Sequence, residues 1–119
     1  MAKTKKALII TVFNEEKTIN RLLESILIQT EKPNQVVLVD GGSTDDTVKR
    51  IKSYGNRFEV VVKKGNRSIG RNEAIRLADA EIIGITDAGC VLDKNWFKNI
   101  TADLVGTDID VAAGYYKAT

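Results

Sequence analysis

Asp40 closes the apolar run Val36–Val37–Leu38–Val39, and Asp87 closes Ile82–Ile83–Gly84–Ile85–Thr86. Such runs read as buried strands, so each carboxylate is carried to the C-terminal end of a strand. Asp40 leads into Gly41–Gly42, then Ser43–Thr44 and Asp45–Asp46, which predicts a tight turn and a helix start with Ser43 or Thr44 as its cap. Between the two aspartates lies a basic stretch containing Lys63, Lys64, Arg67 and Arg71. Asp40 suits acceptance of N–H and hydroxyl groups. Arg67 and Arg71 suit phosphate oxygens, which guanidinium meets in a forked geometry. Asp87 suits sugar hydroxyls or a hard divalent cation, which commonly takes one or two carboxylates plus a substrate's phosphates. Plainer roles stand beside these. Gly41–Gly42 would be only a turn with Asp40 helping to cap the helix, Glu15 a charge on a helix dipole, Asp87 a turn residue, Lys63 and Lys64 a solvated face, and Cys90 a small buried side chain.

Composition narrows the chemistry further. The 119 residues are 43% hydrophobic and 29% charged, which is ordinary for one globular domain. A formal net charge of +2 is too small to argue for nucleic acid or an anionic membrane. With no histidine, imidazole metal sites and Ser–His or Cys–His nucleophiles are excluded within the sequence. The one cysteine excludes an internal disulfide and fits a reducing compartment. Lys3, Lys5 and Lys6 resemble a charged leader, but only Ala7–Phe13 follows before Asn14–Glu15–Glu16, too short for a signal peptide. No run approaches the roughly 18–20 apolar residues of a membrane span. The expected location is the cytoplasm, with the inner face of the membrane as an alternative.

The elements that must position these residues alternate in type. Ala7–Phe13 reads as the first and central strand, and Asn14 as an N-cap with Glu15 and Glu16 in the first helical turn. Ile19, Leu22, Leu23, Ile26 and Leu27 form one apolar helical stripe, ended by Pro33. The strand 36–40 is followed by a weaker helix with Val48 and Ile51 inward and Gly55 as its stop. Phe58–Val62 is a third strand, Lys63–Ser68 a basic loop, and Ile69–Ala80 a helix with Ala74, Leu77 and Ala78 inward. Glu81–Asp87 is the fourth strand. Asp93 is expected to cap a short helix with Phe97, Ile100 and Leu104 inward and Trp96 flanking, and Asp108–Tyr116 resembles a last strand with Tyr115 and Tyr116 as edge or interface aromatics. Alternating strands and helices predict an α/β three-layer sandwich with a mostly parallel central sheet. In such a sheet ligands bind beyond the strand C-termini, where Thr11–Glu15, Asp40, the basic loop and Asp87–Cys90 all converge.

Taken in order, Ala7–Glu16, Val37–Thr47, Gly70–Arg71–Asn72–Glu73–Ala74 and Thr86–Asp87–Ala88–Gly89 resemble the N-terminal, donor-binding half of a family-two glycosyltransferase of GT-A fold. The resemblance runs through nearly the whole chain, and the four blocks together are specific where one would be weak. It implies transfer of a sugar from a nucleotide-diphosphate donor to an acceptor hydroxyl, usually with inversion and with Mg²⁺ or Mn²⁺. It places Thr11, Val12, Phe13 and Glu15 in a nucleoside pocket, Asp40 on the base, and Arg71 near the base or diphosphate; Gly41 and Arg67 join them as candidate nucleotide-sugar-binding residues. Asp87 corresponds to the first aspartate of the family's Asp-x-Asp element and is the metal-ligand candidate. A metal and arginines are what a departing diphosphate requires.

Two departures bear on that implication. Gly89, followed by Cys90, stands where the family commonly has its second aspartate. The sequence also stops soon after Tyr116, where members usually continue into the acceptor site and the general base, so no residue here is assigned as that base. The expectation is a partial GT-A domain that needs its other half or a partner, with an exposed sheet edge favouring self-association. A non-catalytic nucleotide-binding or assembly module of the same fold is the alternative, separated by affinity without turnover. A phosphoacceptor receiver is disfavoured because Gly41–Gly42 follow Asp40 and no lysine ends a late strand. A dinucleotide dehydrogenase is disfavoured because Asn14–Glu15–Glu16 stands in place of a Gly-x-Gly-x-x-Gly turn.

Overall fold

A computed structural model describes residues 4–102 and 111–113. In chain order the elements are β1 (Lys6–Val12), α1 (Ile19–Leu27), β2 (Gln35–Asp40), α2 (Thr47–Lys52), a 3₁₀ turn (Gly55–Arg57), β3 (Glu59–Val62), α3 (Arg67–Leu77), β4 (Ile82–Asp87), α4 (Trp96–Thr101) and β5 (Val111–Ala113). The five strands make one sheet in the order β3-β2-β1-β4-β5, with every pair parallel. β1 is central, as its uninterrupted apolar run requires. Leu104, Tyr115 and Tyr116 lie outside the described residues.

Alternation along β1 sends side chains into two cores. Leu8, Ile10 and Val12 join Val36 and Leu38 of β2 under Leu22, Leu23 and Ile26 of α1, Ile51 of α2 and Phe97 of α4. Ile9 joins Val37, Val39 and Ile83 on the opposite face, which α3 covers through Ala74 with Leu77 and Ala78 alongside. This is the three-layer α/β sandwich. Each such Leu or Ile adds about 1.5–3 kcal/mol of burial, so the strand runs dominate the fold's stability. Four members of the expected α1 stripe are buried, and Leu27 is half-buried against the same core.

Several local expectations are corrected by tertiary partners. Asn14 is not a helix cap: α1 begins at Ile19 with Thr18 before it, and Asn14 sits in the left-handed region at φ 52°. Ser43 and Thr44 do not cap α2, which begins at Thr47. α3 begins at Arg67, two residues earlier than expected, because the Asn66 side chain caps it by accepting the Ile69 amide. Trp96 is buried rather than flanking, and Asn95, not Asp93, precedes α4. Asp93 still organises that turn, its carboxylate accepting the Asn95 amide at 2.9 Å.

α1 also grips the segment after β4. The buried Gln29 amide donates to the carbonyls of Ser25 and Asp93 and accepts the Phe97 amide at 3.0 Å. Ser25 Oγ accepts the Leu92 amide at 3.1 Å. Both polar atoms of that buried side chain are thereby satisfied, and the chain leaving Asp87 is held against α1.

Candidate functional site

The parallel register brings the strand ends to one rim: Val12 lies opposite Asp40, Thr11 opposite Asp87, and Asp40 opposite Val62. Beyond that rim is a cleft of about 310 Å³, lined by Thr11, Val12, Phe13 and Glu15 from the first strand and its loop, and by Val39 and Gly41 from the second. Gly65, Asn66, Arg67 and Gly70 form the wall where α3 begins, and Asp87 with Ala88 closes the side at β4. Two acidic residues, Glu15 and Asp87, therefore share a cleft with the basic Arg67. Phe13, just past β1 and 55% exposed, offers an apolar ring on the same wall.

Two loops are stitched together to build the floor. The Asn14 amide donates to Ser43 Oγ at 2.7 Å, and the Asn14 side-chain oxygen accepts the Thr44 amide at 2.8 Å. The Glu15 amide donates to Thr47 Oγ1 at 2.8 Å, the Glu16 amide to Asp45 at 3.2 Å, and the Asp46 amide back to Glu16 at 3.2 Å. The Gly41 amide donates to the Val12 carbonyl at 2.9 Å. These bonds explain the positive φ at Asn14, which aims its side chain across the gap. They fix the orientation of the backbone carrying Phe13 and Glu15.

Glycine at 41 is a spatial requirement. A Cβ there would stand 3.1 Å from the Gly65 carbonyl oxygen, so the β2 turn and the loop before α3 could not come as close as they do.

Asp40 and Arg71 are not among the residues lining the cleft. Asp40 is 1% exposed, and its carboxylate accepts the Gly42 amide at 2.9 Å, the Ser43 amide at 2.7 Å and the Ser43 hydroxyl. It shapes the turn beneath the cleft. Arg71 is half-buried, four residues after Arg67 and so on the same side of α3, and its Nε is buried with no hydrogen-bond partner. Lys63 and Lys64 are exposed.

Sequence reading brought the basic loop and Asp87–Cys90 to this rim, but singled out none of Val39, Gly65, Asn66, Gly70 and Ala88 as site residues. A signal for Asn66 was present, an N-capping residue type just before α3.

Cys90 is buried behind Asp87, its thiol donating to the Asp87 carbonyl at 3.0 Å. Burial first, then the negative charges of Asp87 and Glu15, push its pKa up despite a hydrogen bond with Thr86. Asp45 moves the other way. Desolvation raises its pKa, but hydrogen bonds from the Thr47 hydroxyl and amide and from the Glu16 amide outweigh that and hold it below 3.8. A carboxyl depressed on folding stabilises the native state above its unfolded pKa and loses that contribution as pH falls through its folded one. Thermal melts below about pH 4 should therefore fall more steeply for wild type than for Asp45→Asn, which removes the titrating group.

Among the described residues no group of three or more Cys, Asp and Glu side chains is placed to hold a metal ion. Nor is any helix among them long and apolar enough to cross a membrane.

The family described as glycosyl transferase family 2 matches residues 7–118 of the sequence. The chain belongs to glycosyl transferase family 2. Glycosyltransferase GlyG of Streptococcus pneumoniae is 28% identical over 115 residues, covering 92% of this chain and 38% of GlyG. The crystal structure of S. aureus TarS 1-349 in complex with UDP-GlcNAc matches with a TM-score of 0.73 at 29% identity, covering 85% of this chain and 31% of that one. Glucosyl-3-phosphoglycerate synthase from Mycobacterium tuberculosis, in complex with Mn²⁺, UDP and glucosyl-3-phosphoglycerate, matches with a TM-score of 0.76. At 18% identity over 88% of this chain and 41% of that one, the likeness is one of fold. The parallel sheet with its flanking helices is thus the GT-A-like arrangement of these glycosyltransferases. This family 2 domain spans 38% of GlyG's length and 31% of the TarS chain.

Proposed function

We propose that the family 2 domain binds the nucleoside-diphosphate end of an activated sugar in the cleft at the strand rim, for transfer of the sugar to an acceptor hydroxyl with inversion. The observation that carries this reading is the cleft's polarity: Glu15 and Asp87 on one side, Arg67 at the start of α3 on the other, and Phe13 between apolar and polar ground. A uridine ring fits the flat face of Phe13 and the backbone of Thr11–Phe13. Arg67 meets the diphosphate, with the α3 N-terminal amides and the Arg71 charge behind it. Asp87 takes the sugar hydroxyls or a cation. The relative at 29% identity, crystallised with UDP-GlcNAc, supports a uridine donor over other bases.

The donor set agrees with a Mg²⁺ or Mn²⁺ ion that arrives with the donor. Two carboxylates line the cleft, and phosphate oxygens commonly complete the shell of such ions. A cation held by Asp87 would supply positive charge against the diphosphate as the sugar–phosphate bond breaks. The protein's own part is to orient the donor with Arg67 and to bring the β2 turn and the loop before α3 together through Gly41.

Isothermal calorimetry with UDP and GDP, with and without Mn²⁺, tests the reading. Arg67→Ala should weaken UDP binding about ten- to a hundredfold, the loss of a charge-assisted contact, with little change in thermal stability because the side chain is exposed. If no nucleotide binds wild type, or Arg67→Ala binds as tightly, the reading falls. Turnover of a UDP-sugar separates an enzyme from a binding module of the same fold.

A further inference from the structure

Position 89 is where the family resemblance leads one to expect a second carboxylate, and it holds glycine at φ 88°. A Cβ built on Gly89 has one neighbour within 4 Å, and that neighbour is Glu15 Oε2 at 3.7 Å. A carboxylate on residue 89 would thus reach the space that the Glu15 carboxylate already occupies. Two such groups would repel each other there, and a side chain at 89 would also strain the left-handed backbone. We propose that Glu15 supplies the carboxylate that position 89 lacks, so that Glu15 and Asp87 together hold the divalent cation entering with the donor diphosphate. The inference rests on the donor-binding reading above.

Two further observations agree. Glu15 and Asp87 line the same cleft, so an ion touching both stays within reach of a bound diphosphate. Glu15 is also held in advance of any ligand: its amide is bonded to Thr47, its carbonyl accepts the Thr18 and Ile19 amides, and its carboxylate accepts the Thr18 hydroxyl at 3.2 Å. A side chain fixed in this way loses little further freedom on coordinating an ion. Two protein carboxylates without a third ligand hold Mg²⁺ or Mn²⁺ weakly, so the cation binds well only together with the diphosphate.

The test measures UDP affinity by calorimetry in EDTA and in Mn²⁺, and free Mn²⁺ by its paramagnetic resonance signal. Wild type should bind UDP at least tenfold more tightly with Mn²⁺, and Mn²⁺ alone should bind only at millimolar concentration. Glu15→Gln should lose most of that enhancement and leave Mn²⁺ free in the presence of UDP, the enhancement being the ratio of the variant's affinity in Mn²⁺ to its own affinity in EDTA. Glu16→Gln, one residue along with its carboxylate turned to the Asp46 amide, should keep the enhancement. Glu15→Asp, one methylene shorter, should keep part of it. Unchanged Mn²⁺ enhancement in Glu15→Gln overturns the assignment, as does absence of enhancement in wild type. A loss of UDP affinity in Glu15→Gln that is equal in EDTA and in Mn²⁺ also overturns it, because Glu15 would then serve the nucleotide and not the ion. If wild type binds no UDP in either buffer, the donor-binding reading fails, and this inference with it.

Discussion

Asp40→Ala is expected to lose about 2–3 kcal/mol of folding stability and at least tenfold in UDP affinity, whereas Asp40→Asn keeps most of both. The carboxylate is enclosed beneath the cleft and accepts the amides of Gly42 and Ser43 and the Ser43 hydroxyl. Alanine leaves two backbone donors without their acceptor, at a cost of about 1–3 kcal/mol for each that water does not reach. It also frees Ser43, whose oxygen accepts the Asn14 amide, so the seam between the first and second loops opens. The cleft wall formed by Phe13 and Glu15 depends on that seam. Asparagine presents one oxygen to both amides and turns its NH₂ toward Ser43 Oγ, so the turn survives without the charge. Chemical denaturation and UDP calorimetry on the two variants separate two roles. Equal loss of binding in both, with Asp40→Asn stably folded, would mean that the carboxylate's charge acts on the ligand directly.

How much of this could be read in advance depends on where each group finds its partner. The strands were legible because burial on both faces demands unbroken apolar runs, and Val36–Val39 and Ala7–Val12 have few other uses. Their parallel pairing then brought Asp40, Asp87 and the basic loop to one rim. The inward faces of α1 and α3 followed from helical spacing. The true partners of the residues expected to cap α1 and α2 were not legible. Asn14, Ser43, Thr44 and Asp45 are residue types that satisfy helix ends, but here they bond across two loops about thirty positions apart in sequence. A local window gives the preference and omits the partner. Asp40 is a similar case, since a carboxylate at a strand end reads equally well as ligand or as turn support. Gln29 gave no signal at all, because a buried glutamine is explained only by the Asp93 carbonyl and the Phe97 amide that it meets.

Gly70→Leu is expected to cost about 3 kcal/mol and to abolish measurable UDP binding, while Gly70→Ala is nearly neutral in stability. Gly70 is buried in the first turns of α3, where a Cβ would lie 3.2 Å from Thr11 Cγ2 and 3.6 Å from Val39 Cγ1. For alanine two effects oppose each other. Helix propensity favours it over glycine by about 1 kcal/mol, and the squeeze against Thr11 takes back a similar amount unless α3 shifts by a few tenths of an ångström. Thr11→Ser removes the Cγ2 methyl, so it should unmask the propensity gain: the double variant Thr11→Ser/Gly70→Ala should exceed the sum of the single changes. Leucine has no such accommodation. Its side chain would have to enter between α3 and the β1–β2 surface, lifting the helix that carries Asn66, Arg67 and Arg71. Gly70 and Arg67 stand one turn apart on the same helix, so a packing fault at Gly70 becomes a displaced Arg67. Thermal melts read the first effect and UDP calorimetry the second. A stable Gly70→Leu protein that binds UDP normally would show that α3 does not set the cleft's geometry.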